Sequence, residues 1–342
     1  MTAGAAGERA RPHSPRLRLG VIGTFVWDTI RGRQPGEPTV EEWGGIAYAL
    51  SGLDAALPPE WEIVPLIKVG DDLHARATEF LATLERVASD AALIAVPYPN
   101  NRVEIIYHSS ERRAERLTGG VPGWTWLGLR PLLAGLDALY VNFLSGWELD
   151  LETAWLLRQH FRGPIYGDLH MLPYVVNATG WRELRPLPDV AAWCRCFDFL
   201  QVNEDELTMM APDPMALAAT AIAAGVRCLC VTLGSRGAVY FAAPGFDRVD
   251  DVRRWPERAA RDTMASAGGA IRTARVPAEP VRAPLDPTGC GDVWGATYVS
   301  RLLAGDPMDD ALRAAHRAAA RNVEHRGATG LSRHLRGELS LR

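Results

Sequence analysis

Short apolar runs alternate with segments of helical periodicity along the second half of the chain. Alternating strands and helices are typical of a mainly parallel sheet with helices on both faces. The pattern predicts strands at 138–143, 164–170, 197–202, 226–233 and 271–276, and helices at 150–161, 204–211, 214–224, 293–303 and from Pro307 to about Glu324. The fold class is therefore expected to be α/β, a three-layer sandwich around one central sheet.

The first half of the chain adds shorter elements. An apolar strand is predicted over 17–28, a helix after Gly44 and Gly45, a strand at 61–69 and a helix at 73–87. Two β-like runs at 92–96 and 102–108 are joined by a turn, which predicts a small sheet projecting from the main one as a lid. We find no domain linker, so residues 17–332 are expected to form one large domain with a lid at about 92–108.

Three segments lack this patterning. Residues 1–16 are small, charged and Pro-containing, which is typical of a disordered tail and not of a signal peptide. Residues 245–268 are rich in Arg, Asp and Gly without periodicity and are interpreted as a surface insertion. Residues 333–342 are interpreted as a C-terminal tail.

Composition narrows the class of protein. The chain has 342 residues, 47% hydrophobic and 23% charged, with a net charge of −4. These values are ordinary for a soluble globular protein and give no basic footprint for nucleic acid. No apolar run approaches the roughly 18–20 residues that cross a bilayer, so a cytoplasmic location without membrane contact is expected.

The five cysteines form two Cys-x-Cys pairs and one single residue, Cys290. Metal sites usually have Cys-x-x-Cys spacing, and Cys228 and Cys230 lie in an apolar, strand-like run. Reduced, buried thiols are therefore favoured over a metal site or a disulfide.

The stretch Asp286-Pro-Thr-Gly-Cys-Gly-Asp292, directly before a helix, is the richest in chemistry. Gly289 and Gly291 flank one small residue, so the backbone can turn tightly and direct consecutive N–H groups to one point, where the helix dipole also favours an anion. Asp292, in the first turn, would face a bound phosphoryl group as a base. The alternative is a plain turn with a capping carboxylate.

Other polar groups follow predicted strands. Asp28 ends the first strand and is a candidate for binding substrate hydroxyls, or a turn residue. Gly44 and Gly45 permit close backbone approach to a ligand, or form a simple turn into the helix. Asp168 and His170 share one face of a strand end and border the site in one interpretation.

Two further segments have a functional and a structural interpretation. Asn203 and Glu206 begin a helix, either as capping residues or as holders of magnesium through its water shell. Val231 to Gly237 is a strand that leaves into a turn, whose glycines would let a nucleotide lie against the backbone. A plain hairpin is the alternative.

In this order, these features resemble the ribokinase-like (PfkB) family of carbohydrate and nucleoside kinases over residues 17–332. The resemblance implies Asp292 as catalytic base, with Gly289, Cys290 and Gly291 as the anion hole. It also implies roles outside this motif: Asp28, Gly44 and Gly45 for substrate, Asn203 and Glu206 for Mg²⁺, and Thr232, Gly234, Gly237 and Asp286 for ATP. A monovalent cation is a further candidate cofactor, and a homodimer through lid strands is a further expectation.

The chain also departs from the family pattern. The family usually has an Asn four residues after the second glycine, where this chain has Ala49. Trp27 and Trp43 lie near the substrate motifs. They could stack on a base, which leaves a nucleoside as an alternative to a sugar or sugar-like substrate. A noncatalytic ligand-binding relative is the alternative from another class.

Overall fold

The computed structural model describes residues 16–31, 39–107, 113–255, 269–281 and 284–338. The strands are β1 (Leu17–Ile22), β2 (Phe25–Arg31), β3 (Val40–Gly45), β4 (Trp61–Leu66), β5 (Lys68–Gly70), β6 (Ile94–Val96), β7 (Arg102–Tyr107), β8 (Arg113–Thr118), β9 (Ala138–Asn142), β10 (Ile165–Asp168), β11 (Tyr174–Val176), β12 (Arg182–Leu184), β13 (Phe199–Asn203), β14 (Cys228–Thr232), β15 (Ala238–Ala242) and β16 (Arg272–Val276). The helices are α1 (Ile46–Ala56), α2 (His74–Leu81), α3 (Trp126–Leu129), α4 (Leu151–His160), α5 (Val190–Cys194), α6 (Glu204–Met210), α7 (Pro214–Ala223), α8 (Cys290–Leu303), α9 (Met308–Val323) and α10 (Leu331–Arg336).

The central sheet has the strand order β16-β15-β14-β13-β10-β9-β1-β4. Its pairs from β4 to β14 are parallel, and β15 and β16 add an antiparallel edge. All five residues of β9 are buried, as expected for a strand covered on both faces. One hydrophobic cluster covers each face of the sheet, with α1, α8 and α9 in one and α4, α5 and α7 in the other. The predicted α/β three-layer sandwich is thus confirmed.

A second sheet with the order β3-β2-β7-β8 forms the lid. The strands that form this sheet correct the prediction of lid strands at 92–108. Only β7 comes from that range, while β6 pairs with β5 in a separate two-stranded sheet. The predicted strand over 17–28 is also two strands, because the chain leaves the central sheet at Gly23 and Thr24. Asp28 therefore belongs to the lid and not to the end of a core strand.

A hairpin of β11 and β12 reaches the outer lid strand β8. The backbone N–H of Leu117 donates to the Gly180 carbonyl at 2.8 Å, and Arg116 forms an isolated bridge with Trp181. The sequence analysis predicted no strands between 170 and 197. The hairpin fastens the edge of the lid to the main domain.

Helices α1 and α8 pack against each other on one face of the sheet. A Cβ at Gly52 of α1 would lie 2.9 Å from the Cβ of Ala296 and 3.3 Å from the Cα of Val293 in α8. These separations are below an ordinary carbon–carbon contact, so glycine at this position lets the two helix backbones approach closely.

Two predicted boundaries are wrong. In the described part of the expected surface insertion, residues 245–255, the side chains of Phe246, Val249 and Val252 are buried in the core. The expected tail at 333–342 begins inside α10, whose His334 is buried. Residues 1–15, 256–268 and 339–342 lie outside the described residues. Among the helices that the structure describes, none is long and apolar enough to span a membrane.

Arg336 ties α10 to α1. Its Nη1 donates to the buried Asp54 carboxylate at 2.8 Å, and the same carboxylate accepts from the Ser332 hydroxyl. Arg336→Met would leave a buried carboxylate without its counter-ion, so we expect the free energy of unfolding to fall by about 3 kcal/mol. Urea denaturation measures the change.

Arg333→Met provides the matched control for this prediction. Arg333 is exposed on the same helix, and its replacement should change the free energy of unfolding by about 0.5 kcal/mol or less. Equal losses for the two variants would contradict the buried ion pair as the cause.

Candidate active site

A cavity of about 390 Å³ lies where the central parallel strands end beneath the lid. Residues from the lid, from three strand ends and from the start of α8 line it. The predicted site residues in its lining are Asp28, Gly45, Asn203, Glu206, Thr232, Gly234, Gly289, Cys290, Gly291 and Asp292. Gly44, Gly237 and Asp286 are not among the described residues that line it.

The loop before α8 has the conformation that its glycines allow. Gly289 is the N-terminal cap of α8 with φ of +74°, and a Cβ there would lie 2.2 Å from the Tyr48 ring. The helix begins at Cys290, three residues before the predicted start, so Cys290 and Gly291 belong to its first turn. The Cys290 N–H donates to the Pro287 carbonyl at 3.2 Å, whereas the Gly291 N–H has no acceptor within the helix by helix geometry and lies at the positive end of the helix dipole.

Asp292 lies in this first turn and accepts a hydrogen bond from Asn142. The Asn142 Nδ2 is 2.7 Å from the Asp292 Oδ1, and Asn142 is fully buried at the end of β9. The amide therefore orients the carboxylate at the cavity. Asn142 is not among the residues predicted from the sequence, although its position at the end of a predicted strand was a usable signal.

Asp28 lies over Gly44. A Cβ at Gly44 would be 1.8 Å from the Asp28 Oδ2, so only glycine leaves room for the carboxylate, which is 5% exposed. Gly45 has φ of +58° and caps α1. Gly44 thus acts on the site through Asp28, and Gly45 contributes to the cavity wall.

A buried polar network joins strands β10 and β13 to α8. Gln201 Nε2 donates to the Asp168 Oδ2 and to the Gly291 carbonyl, both at 3.1 Å. Burial raises the pKa of the Asp168 carboxyl, His170 lowers it, and the nearby Glu206 and Asp292 raise it further. Asp168 and His170 both border the cavity, as one interpretation of the sequence had it.

His170 carries a positive charge next to this network. Its Nδ1 lies 2.8 Å from the Glu206 Oε1. Burial lowers the pKa of His170, but the hydrogen bond to Glu206 and the carboxylates of Asp168 and Asp292 outweigh burial and raise it to about 9. At neutral pH this imidazolium offsets part of the negative charge of the site.

Asn203 and Glu206 form a complete capping box at the start of α6. The Asn203 Oδ1 accepts from the Glu206 N–H at 2.9 Å, and the Glu206 Oε2 accepts from the Asn203 N–H at 2.7 Å. The structural interpretation of this pair is therefore correct. No cluster of three or more His, Cys, Asp or Glu suited to direct metal binding occurs among the described residues. Both residues line the cavity, and their role in holding magnesium through its water shell stays a prediction.

The predicted nucleotide residues divide into two groups. Thr232 and Gly234 line the cavity. Gly237 has φ of +94° and supports the turn, since a Cβ there would lie 2.0 Å from the Val276 carbonyl oxygen. The Asp286 Oδ1 accepts from the Thr288 N–H at 3.0 Å and from its hydroxyl at 2.7 Å, which shapes the loop before the anion hole. Direct nucleotide contact by Gly237 and Asp286 stays a prediction.

Comparison with known proteins supports a family resemblance in the second half of the chain. A model of the pfkB family carbohydrate kinases matches residues 172–334. A search of curated proteins gave no match. The fold is ribokinase-like, and the match over residues 172–334 agrees with the resemblance that the motifs predicted.

Solved structures share this fold over nearly the whole chain. A nucleoside kinase from Burkholderia thailandensis, in complex with inosine, has a TM-score of 0.64 at 17% identity, covering 92% of this chain and 94% of its own. A ribokinase from Arabidopsis thaliana, complexed with ribose and ATP, has a TM-score of 0.60 at 15% identity, covering 96% and 100%. A pyrophosphate-dependent kinase of the ribokinase family has a TM-score of 0.65 at 13% identity, covering 92% and 97%.

Trp27 and Trp43, which suggested base stacking, lie outside the described lining of the cavity. Trp43 is buried and packs edge-on against Phe25 and Trp27. Trp27 also contacts the Arg76 guanidinium, and neither tryptophan is among the described residues that line the cavity. Ala49 is fully buried in α1. The argument for a nucleoside from Trp27 and Trp43 is therefore wrong.

Glu42 of the lid strand β3 packs against the loop that precedes α10. A Cβ at Gly327 would lie 1.5 Å from the Glu42 Oε2. Burial and then the Asp286 carboxylate raise the pKa of Glu42 to about 7, with Arg326 opposing the rise. The folded protein thus binds this proton more tightly than the unfolded chain. The contribution of Glu42 to the stability of the folded protein is therefore lost as pH rises from about 4.5 to 7.

Glu42→Gln should therefore be more stable than the wild type at pH 8, by up to about 3 kcal/mol, and equally stable at pH 4. Thermal and urea unfolding across this pH range measure the difference. Glu41→Gln, an exposed acid on the same strand, should leave the pH profile unchanged. Parallel profiles for wild type and Glu42→Gln would contradict the titration of Glu42.

Proposed function

We propose that this protein is an ATP-dependent small-molecule kinase that transfers the γ-phosphate to a hydroxyl of a sugar or sugar-like substrate. The observation that carries the proposal is that one cavity contains Asp292, the helix start at Gly289–Gly291 and the lid carboxylate Asp28. The pfkB family match and the ribokinase-like fold support a phosphotransferase.

Asp292 is proposed to take the proton from the attacking hydroxyl. The Asn142 amide donates to one carboxylate oxygen at 2.7 Å and so orients the carboxylate that would accept the proton of the substrate. Asp28, on the lid side of the cavity, would accept hydrogen bonds from further hydroxyls and hold the substrate in place. Positioning of this kind accounts for much of the rate in phosphoryl transfer, because the protein does little covalent chemistry.

The N–H groups at the start of α8 are proposed to bind the transferred phosphoryl group. Gly289 allows the turn that directs them at one point, and the helix dipole adds positive charge. Thr232 and Gly234 would contact the nucleotide at the other end of the cavity. Asn203 and Glu206 would hold magnesium through its water shell. That ion, when bound, supplies charge neutralisation at the phosphates.

The test is acceptor-dependent ADP formation by the purified full-length protein with ATP and magnesium. The acceptor panel comprises sugars, sugar acids and nucleosides, and a parallel arm replaces ATP by pyrophosphate. ADP release that depends on one acceptor supports the proposal. Nucleotide binding without turnover on any acceptor would favour the alternative of a noncatalytic relative, and turnover with pyrophosphate alone would overturn ATP as donor.

A homodimer through lid strands is also proposed, since the lid sheet projects from the main domain. Sedimentation of the full chain at micromolar concentration tests this state, and a monomer at all concentrations would refute it.

A further inference from the structure

Glu148 lies in the loop that follows β9 and is 3% exposed. Its Oε1 accepts hydrogen bonds from the Leu144 N–H at 2.9 Å and the Ser145 N–H at 2.6 Å, and its Oε2 accepts from the Gly146 N–H at 3.0 Å. A fourth donor, the Thr24 hydroxyl, lies 2.8 Å from the same Oε1. The first three bonds shape the loop at 144–148, whereas the fourth joins this loop to a distant segment of the chain.

Thr24 lies where the chain passes between the main domain and the lid. There the chain leaves β1 of the central sheet and enters β2 of the lid, which bears Asp28. The Thr24 carbonyl also accepts from the Ile46 N–H at 3.1 Å, where the chain returns from β3 to α1. Through one hydroxyl, Glu148 therefore holds the base of the lid beside the strand that bears Asp28.

The connections of β7 and β8 to the main domain contact the same loop. Before β7, the Asn101 Nδ2 donates to the Ser145 hydroxyl oxygen at 2.8 Å. After β8, the Val121 carbonyl accepts from the Trp147 Nε1 at 3.1 Å. The loop at 144–148 thus contacts the described chain at each connection between the lid sheet and the main domain, either directly or through Thr24.

The loop at 144–148 is also joined to the proposed base. It follows β9, which ends at Asn142, and the Asn142 amide orients Asp292. One oxygen of Glu148 therefore accepts hydrogen bonds both from the frame that holds Asp292 and from the base of the lid that bears Asp28. Hydrogen bonds to a carboxylate are among the stronger ones in proteins, so this oxygen is suited to fix one part against the other.

We propose that Glu148 is a positioning residue that, through Thr24, sets the distance between the lid carboxylate Asp28 and the base Asp292. The inference rests on the proposed kinase function and adds to it a residue that is not among the described residues that line the cavity. Asp28 of the lid is proposed to hold the acceptor, whereas the nucleotide is proposed to contact the main domain. Loss of the bond between Thr24 and Glu148 should therefore weaken the acceptor and leave ATP unaffected.

Thr24→Val tests this bond, because valine has nearly the shape of threonine and the three backbone donors to Glu148 remain. ADP formation with ribose, gluconate and inosine as acceptors gives kcat and both KM values. For the acceptor that is turned over, we expect KM to rise about three- to tenfold, with KM for ATP and kcat within about twofold of the wild type. Thr24→Ser keeps the hydroxyl and should restore the wild-type KM.

A purely structural role of Glu148 would give a different result. A less stable protein contains less active enzyme, which lowers the apparent kcat and leaves both KM values unchanged. That result, or an equal rise of KM for acceptor and ATP, would overturn the inference. Ser145→Ala removes the acceptor of Asn101 and provides a second variant, for which we expect the same rise in acceptor KM alone.

Thr153→Val is the matched control. Thr153 is 4% exposed, against 6% for Thr24, but it lies in the first turn of α4 and outside the lid. Both KM values should equal those of the wild type. A rise of acceptor KM in Thr153→Val as large as in Thr24→Val would show that the bond to Glu148 is not the cause and would overturn the inference.

Hydrogen exchange separates this inference from the proposed function, because it needs no turnover. In Thr24→Val the backbone amides of β2 should exchange about threefold faster than in the wild type or more, while those of β9 keep the wild-type rate. If the wild type forms no ADP with any acceptor, the proposed function fails and exchange alone decides whether Glu148 positions the lid. Faster exchange in β2 supports that role, and an unchanged rate refutes it.

Discussion

Asp292→Asn is expected to lower turnover by about 10²–10⁴-fold, the usual range for loss of a general base. The amide has nearly the shape of the carboxylate but cannot take a proton from the substrate hydroxyl. Folding should persist, because Asp292 lies in the first turn of α8 and its neighbours Asn142 and Gly291 are unchanged. Nucleotide affinity should persist as well. Steady-state ADP formation, nucleotide titration and thermal unfolding measure the three quantities.

Asp306→Asn is the matched control for Asp292→Asn. Asp306 follows the other end of α8, where its Oδ2 is 2.7 Å from the Arg301 Nε and its side chain is 28% exposed. The same change of acid to amide there should leave turnover within about twofold, since a surface ion pair contributes little. Full turnover in Asp292→Asn would remove this residue from the role of base.

Gly289→Ala is expected to reduce both stability and activity. A non-glycine residue at φ of +74° is strained, and its Cβ would lie 2.2 Å from the Tyr48 ring. We expect the free energy of unfolding to fall by about 3 kcal/mol, from backbone strain and overpacking together. Displacement of the N–H groups at the anion hole should lower kcat by a further factor of about 10² per folded molecule.

Gly225→Ala separates the two causes of the Gly289→Ala effect. Gly225 also has a positive φ, of +98°, but a Cβ there meets nothing within 4 Å. In this variant the free energy of unfolding should fall only by the cost of backbone strain, about 1–2 kcal/mol, and kcat should be normal. Urea unfolding and single-turnover kinetics provide the comparison. Equal losses of stability in the two variants would argue against a role for the Tyr48 ring.

The core of the fold could be predicted because its signal is local. Strands β9, β10, β13 and β14 are buried on both faces and read as continuous apolar runs bounded by helices. The lid could not be predicted in this way. The partners of its strands are set by contacts between segments distant in sequence, so the run at Ile94–Val96 pairs with Lys68–Gly70 and not with the lid strands.

The candidate site, too, could be predicted only where its residues are close together in sequence. The motif from Asp286 to Asp292 contains its turn, its helix start and its carboxylate within seven residues, so local chemistry identified it. Asn142 was missed because its contact with Asp292 spans 150 residues of sequence. The parallel register places Asn142 beside Asp168, and Asp168 beside Gln201. Polar residues that end successive strands were therefore a signal available in the sequence.

The close contact of α1 and α8 at Gly52 has a consequence for how substrate preference can change in this chain. Gly45 caps one of these helices and Gly289 the other, and both glycines border the cavity. Because these helices pack backbone to backbone, direct contact sets the spacing between the two sides of the cavity that Gly45 and Gly289 border. The lid sheet and the β11–β12 hairpin lie outside this helix pair. Substitutions in the lid or the hairpin should therefore reshape the cavity wall while the spacing between Gly45 and Gly289 is kept.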